Sequence, residues 1–276
     1  MGSRNCNSSH GDFLMRTLLL SITLLFSTNV LAATQYVYNY SRNEIVIDEG
    51  SDKVRPIASV TKLMTAIVIL ESKVSLDEKV PYKGFKNIPS KQRTRDELLA
   101  LLLIKSDNNA AEALARSFPG GREHFIDVMN VTSRFLGMEY TTYDDPSGLS
   151  PRNQSTAKDL TKLLHYASTY PKIKQIASMT SFMLVEPSVK KVAAKKKKKK
   201  ARTFSSYRVI TVNNTNFHLL NEYEEIEISK TGYTNPAGKC LTMFVTKNGE
   251  HFAVVILGER NMRDVEKVSR KILDNL

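Results

Sequence analysis

Residues 252–257, Phe-Ala-Val-Val-Ile-Leu, are apolar at every position, as expected for a strand covered on both faces. A sheet holding such a strand needs other layers above and below it. The rest of the chain offers them in a definite order. Near the start, residues 36–40 and 44–48 alternate around Ser41-Arg42-Asn43 and read as a hairpin. Residues 60–70 form an apolar run of helical length opening directly after Ser59, which predicts a buried helix. Helical patterns then dominate to about Tyr170, at 95–104, 108–116, 122–136 and 156–166. Pro119-Gly120-Gly121 and Pro146-Ser147-Gly148 punctuate them. Strands return at 207–212, 226–230 and 241–246, the last joined to 252–257 through a turn ending in Asn248-Gly249. An amphipathic helix from Met262 to Leu276 closes the chain, with Val265, Val268, Ile272 and Leu273 on one side. The expected fold class is α/β: an antiparallel sheet built from both ends of the chain, flanked by helices, with an all-helical lobe inserted between.

The N-terminus reads as an export signal. Met15-Arg16, an apolar stretch from Leu18 to Phe26, and the small-residue pattern Val30-Leu31-Ala32 make a secretory signal peptide cleaved after Ala32 or Ala33. The polar residues 1–14 fit that pattern poorly, which points to Met15 as the true start. The organisation expected is a signal peptide at 1–32 and one catalytic domain at 33–276. Its sheet lobe takes in about 34–72 and 203–276, its helical lobe about 73–180, and a basic insertion about 188–202. No cysteine follows the cleavage region, so no lipid anchor is expected there. Cys240 alone remains in the mature chain and reads as a buried core residue. Of the formal charge of +12, eight units come from Lys190, Lys191 and the run Lys195 to Lys200. The basic character is one local tract, read as a solvated insertion able to meet an anionic wall or membrane surface. Export argues against a nucleic-acid partner.

Three short motifs carry the chemistry. Ser59-Val60-Thr61-Lys62 opens the buried helix, and residues three apart share a helix face, so hydroxyl and amine can meet. A serine needs a base to become a nucleophile, and a lysine serves when burial or a neighbouring cation depresses its pKa. Ser106-Asp107-Asn108 lies between two helices; its hydroxyl suits proton relay and its Asn amide suits holding Lys62. Lys230-Thr231-Gly232 ends a strand; it supplies a second cation, a hydroxyl for a substrate carboxylate, and a glycine that admits close approach. Each motif alone is weak, and together in this order they form a recognised hydrolase set.

With these motifs in place, the sequence resembles the low-molecular-mass penicillin-binding proteins, the serine D-alanyl-D-alanine peptidases. The likeness runs from about Tyr36 to the C-terminus except for the lysine tract. It includes the segment from Pro56 to Thr65, Asp145-Pro-Ser-Gly-Leu-Ser150, Asn153, the segment from Ser155 to Leu160, Asn214-Thr-Asn216 and the segment from Lys230 to Gly238. The resemblance implies a β-lactamase/transpeptidase-like fold. It implies catalytic roles for Ser59, Lys62, Ser106, Asn108 and Lys230, and substrate binding by Thr231, Gly232 and Tyr233. It further implies an oxyanion site at the N–H groups of Ser59 and Tyr233, peptidoglycan stems as substrate, β-lactams as covalent inhibitors, and a periplasmic location. Phe118-Pro-Gly-Gly121 and the Lys-Thr-Gly-Tyr-Thr-Asn stretch are similar to the endopeptidase subgroup, penicillin-binding protein 7. The chain ends soon after Gly232, so neither a second β-rich domain nor a C-terminal membrane anchor is expected.

Other readings remain. The motifs do not separate an endopeptidase from a carboxypeptidase, because both leaving amines sit beside a free carboxylate. A class A β-lactamase adds an E-x-x-L-N glutamate, whereas Glu139 is followed by Tyr-Thr-Thr. A non-catalytic sensor or wall-binding module would keep the fold. No metal or other cofactor is expected, since His10, His124, His165, His218 and His251 show no paired ligand spacing. Asp145 and Asp159 read as loop and helix-surface residues.

Overall fold

The computed structural model describes residues 1–2, 33–192 and 202–276. The expected signal peptide, apart from its first two residues, and the lysine run Lys195 to Lys200 lie outside the described residues.

In chain order the elements are β1 (Thr34–Asn39), β2 (Glu44–Glu49), the short β3 (Arg55–Pro56), a 3-10 turn (Ala58–Thr61) and α1 (Lys62–Glu71). There follow β4 (Lys79–Tyr82), β5 (Lys91–Thr94), α2 (Arg95–Ile104), α3 (Asn108–Arg116), α4 (Gly121–Phe135) and β6 (Gln154–Ser155). Then come α5 (Ala157–Ser168), α6 (Pro171–Ala177), β7 (Ser181–Val192) and β8 (Arg202–Asn213). The chain ends with α7 (Phe217–Glu222), β9 (Ile226–Thr234), β10 (Gly238–Lys247), β11 (Glu250–Glu259) and α8 (Met262–Asn275).

The main sheet has five strands in the order β2-β1-β11-β10-β9, antiparallel throughout. The first strand of the chain lies beside the last, with Thr34 opposite Leu257 and Asn39 opposite Phe252. The all-apolar run in β11 hides an alternation. Ala253, Val255 and Leu257 join the core under the helical lobe, whereas Phe252, Val254 and Ile256 join a second core with Val265, Ile272 and Leu273 of α8. Burial on both faces thus follows from a layer on each side, and the two-residue period assigns each side chain its layer. Between β10 and β11, Asn248 and Gly249 both take positive φ, 54° and 78°, as a tight two-residue hairpin turn requires.

The expected α/β class and the inserted helices are present, with three departures. The lobe expected to be all-helical also holds the β4–β5 hairpin and the short β6, because these segments pair with each other and with β3. The helix expected directly after Ser59 begins at Lys62, because Ser59 sits in a 3-10 turn entered through Ala58 at φ +47°. The segment read as a basic insertion is partly strand: β7 and β8 pair from Ser181 opposite Asn213 out to Val192 opposite Arg202.

That hairpin is fastened to the helical lobe by charge. Glu186 of β7 meets the guanidinium of Arg93 and the ammonium of Lys91, both on β5. Arg93 is fully buried and Glu186 nearly so, and the Arg93 guanidinium also lies 5.8 Å from the centre of the Tyr82 ring. Removing one partner of a buried pair leaves the other charged and desolvated, at a cost of about 3–5 kcal/mol. Glu186→Ala is therefore expected to lower unfolding stability by about 3 kcal/mol in a urea titration. A loss below about 1 kcal/mol, the range of exposed pairs, would show that the pair does not fasten the hairpin.

Candidate active site

The turn bearing Ser59 is held from beneath. Val60 N–H donates to the Ile57 carbonyl at 3.2 Å, and Thr61 Oγ1 donates to the Ala58 carbonyl at 2.8 Å. Asn153 then ties this turn to the 145–150 loop. Its Nδ2 donates to Thr61 Oγ1 at 3.0 Å and to the Asp145 carbonyl at 2.8 Å, and its Oδ1 accepts from the N–H groups of Asp144 and Asp145. Asp145 folds its own loop, accepting from the N–H groups of Ser147, Gly148 and Ser150 at 2.6–2.7 Å. Gly148 stands at φ +83°, and a Cβ there would fall 1.9 Å from the Ala58 carbonyl oxygen. Only glycine allows the two turns to meet so closely.

Lys62 is wholly buried one turn beyond Ser59. Its Nζ lies 2.8 Å from Ser59 Oγ, 2.7 Å from Asn108 Oδ1 and 2.5 Å from the Ser147 carbonyl oxygen. None of these partners is charged. Burial pulls its pKa down to about 7, against the pull of Asp145 and Asp107. Asp145, the stronger of the two opposing influences, is itself held by its own loop. Burial raises its pKa, but the hydrogen bonds from Ser147, Ser150 and Gly148 outweigh that and leave it below the usual range.

Ser106 and Asn108 come from a joint between helices. Ser106 takes φ +59°, and Asp107 caps α3 by accepting from the N–H groups of Asn109 at 2.8 Å and Ala110 at 3.2 Å. The Tyr82 hydroxyl donates to the other Asp107 oxygen at 2.5 Å. Lys230, equally buried, crosses from the sheet and donates to Ser106 Oγ at 2.9 Å and to the Thr231 carbonyl at 2.8 Å. Burial holds its pKa well below the usual lysine range, and the nearby Lys62 adds to this.

Thr231 and Gly232 follow on β9, an edge strand of the main sheet. A Cβ on Gly232 would stand 3.0 Å from the Ile57 carbonyl and 3.1 Å from the Ser59 nitrogen, so β9 runs directly against the turn of Ser59. The sequence motifs thus converge. Ser59, Ser106, Asn108, Thr231, Gly232 and Tyr233 all line one cleft of about 500 Å³, with Lys62 and Lys230 buried behind it.

Some members of the site lay beyond the sequence reading. The Ser147 carbonyl is a backbone partner of Lys62, which no motif of side chains can signal. Thr215, whose Oγ1 accepts from Thr231 Oγ1 at 2.6 Å, sits inside the Asn214-Thr-Asn216 segment, where the flanking asparagines drew attention instead. Lys86 and Lys239 also line the cleft and belong to no motif. Asp159, expected on a helix surface, is buried, accepting from Tyr140 N–H at 2.8 Å and Thr141 Oγ1 at 2.9 Å. Cys240 is buried, as its sequence position implied.

A family profile described as D-alanyl-D-alanine carboxypeptidase matches residues 25–261. A D-alanyl-D-alanine endopeptidase of Escherichia coli is 34% identical over 239 residues, covering 83% of this chain and 71% of the relative. One of Pseudomonas aeruginosa is 36% identical over 231 residues, covering 80% and 69%. A penicillin-binding protein of Listeria monocytogenes, solved in its ampicillin-bound form, superposes with a TM-score of 0.69 at 26% identity, covering 86% of this chain and 95% of that one.

Proposed function

The chain belongs to the D-alanyl-D-alanine carboxypeptidase family, and from that premise we propose the reaction of the cleft and the part each residue plays. The protein is a serine DD-peptidase, a hydrolase of D-alanyl bonds in cell-wall peptide that β-lactams acylate.

Ser59 Oγ attacks the D-alanyl carbonyl carbon while its proton passes to Lys62 Nζ. The partner set of Lys62 carries this reading. A neutral amine has two N–H groups and one lone pair. Asn108 Oδ1 and the Ser147 carbonyl accept the two N–H bonds, so the lone pair is left facing the Ser59 hydroxyl 2.8 Å away. The oxyanion then accepts hydrogen bonds from the N–H groups of Ser59 and Tyr233, each donor of this kind being worth about 10²–10³ in rate. Collapse breaks the C–N bond, and the departing amine takes up the proton, delivered through Lys62, Ser106 and Lys230. Water then attacks the ester on Ser59 and gives its proton back through Lys62, restoring the hydroxyl. Thr231, paired with Thr215, receives the carboxylate beside the scissile amide. Gly232 leaves room for the peptide along β9.

Among the two reactions this site can perform, we favour cleavage of the D-alanyl–diaminopimelate cross-link, because the two relatives compared carry the endopeptidase name. The N-terminal sequence and a wall substrate support a periplasmic location; among the described residues no helix is long and apolar enough to cross a membrane. The tract from Lys190 to Lys200 supports an affinity for an anionic wall or membrane surface on its charge alone.

Purified cross-linked muropeptide dimer and pentapeptide monomer, digested in parallel and read by mass, test the reaction. Conversion of dimer to monomers is expected; release of D-alanine from the pentapeptide with the dimer intact would reassign the protein as a carboxypeptidase. Ser59→Ala is expected to abolish both hydrolysis and covalent labelling by penicillin.

The pH profile tests the base. Because the neutral form of Lys62 is the active one and its pKa is about 7, kcat/KM should fall about tenfold per pH unit below that value and level off above it. Lys62→Arg keeps the charge but stays protonated, and should lose at least about 10²-fold, the lower range of proton-transfer catalysis. An arginine variant with near-normal rate would remove the base role from Lys62.

For the lysine tract, deletion of residues 190–200 is expected to weaken binding to isolated wall or anionic vesicles at low salt, with the difference vanishing at high salt. Equal binding at low salt would dispose of that affinity.

A further inference from the structure

Among the described residues, the cleft that holds Ser59 has no carboxylate in its lining, yet two lysines reach it besides the buried pair behind it. Lys239 Nζ rests 3.3 Å from the centre of the Tyr233 ring, and Lys86 Nζ lies 5.3 Å from that of Phe85. Among the described residues neither lysine makes an ion pair. Glu259 faces Lys239 in register on β11, but the ammonium leans instead onto Tyr233, its register partner on β9. Tyr233 is itself held by its hydroxyl, which donates to Asn235 Oδ1 at 2.8 Å, while about half its surface stays open. A cation seated on an aromatic face is oriented without being neutralised, so its charge remains available to a ligand.

Position along β9 says which part of a ligand this charge meets. Thr231, on the proposed reading, holds the carboxylate on the leaving side, and Gly232 abuts the Ser59 nitrogen where the scissile carbonyl lies. Tyr233 comes next along that edge, with Lys239 opposite it on β10, beyond the carbonyl on the acyl side. We propose that Lys239, seated on Tyr233, is a specificity residue that receives a carboxylate of the acyl-donor peptide, making the enzyme selective for acidic stems. The inference rests on the serine-peptidase reading above. Lys86 raises the positive potential of the cleft without being assigned a contact.

The test compares two synthetic acyl-donor peptides ending in D-Ala-D-Ala that are identical except that the side-chain or α-carboxylate on the donor portion is free in one and amidated in the other. The wild type should prefer the free acid about tenfold in kcat/KM, the equivalent of about 1.4 kcal/mol, with the difference residing in KM. Lys239→Gln should bring the ratio close to one. Lys239→Arg should restore most of it, and in the wild type the ratio should shrink as salt rises. A wild type that cleaves both peptides equally, or a Lys239→Gln variant that keeps the preference, overturns the subsite while leaving the reaction standing. If the wild type cleaves neither peptide nor the muropeptide dimer and takes no label from penicillin at Ser59, the underlying reading fails instead.

Discussion

The chemistry proposed for the cleft depends on a lysine amine that, among the described residues, is buried without a salt-bridge partner. A lysine placed in the interior beside a carboxylate would keep its proton and be useless as a base. Lys62 escapes this because its three direct partners are neutral and because burial outweighs the upward pull of Asp145 and Asp107 on its pKa. Asp145 is consumed by the N–H groups of its own loop. Asp107 is consumed by the cap of α3 and by Tyr82, and burial raises its pKa. The two aspartates organise the walls of the site, and their charge only partly offsets the effect of burial on the Lys62 pKa. Folding must bear the desolvation of Lys62 and Lys230 together, and the extensive core around α1, α2 and the sheet offsets that cost.

The geometry that brings the three motifs together comes from topology. Because β1 pairs with β11, the two ends of the chain make one sheet, and β9 is left at an edge. That edge faces the turn of Ser59, with only the hydrogen of Gly232 between strand and turn. The helical lobe, inserted between the halves of the sheet, supplies Ser106 and Asn108 from the joint between α2 and α3. A peptide lying along an unpaired strand edge gains backbone hydrogen bonds whatever its side chains. Under the proposed reaction, β9 therefore both binds the peptide and aligns its carbonyl with Ser59.

How much of this could be read from sequence follows from how local each feature is. Helices α2 and α3 matched their expected bounds because their caps are written nearby: Thr94 and Glu97 form a capping box, and Asp107 caps the next helix. Strand β11 was legible because its burial on two faces leaves an unbroken apolar run. The late start of α1 was not, since it goes with Ala58 at φ +47°, packed against the loop at Gly148 from far along the chain. The two-residue strands β3 and β6 and the partner strand β7 are likewise set by pairing rather than pattern. Within the site, the side chains in motifs were visible, whereas the Ser147 carbonyl, Thr215 and Lys239 owe their places to neighbours that sequence does not adjoin.

The same locality explains why the motifs cannot choose between wall substrates. A terminal D-alanine and the D-centre of diaminopimelate present Ser59, Lys62 and Thr231 with the same atoms: a D-alanyl carbonyl, an amine and an adjacent carboxylate. Machinery that sees only those atoms must treat both alike. Discrimination has to arise where the two ligands differ, in the bulk and charge carried beyond the scissile bond, and those parts can meet only the rim of the cleft. There the structure places residues outside the motifs, Lys239 on Tyr233 and Lys86 on Phe85, with no carboxylate lining the cleft among the described residues. A site built this way can keep its reaction fixed while its preference among acidic peptides changes by substitution at the rim, since neither lysine is a hydrogen-bond partner of Lys62, the proposed base.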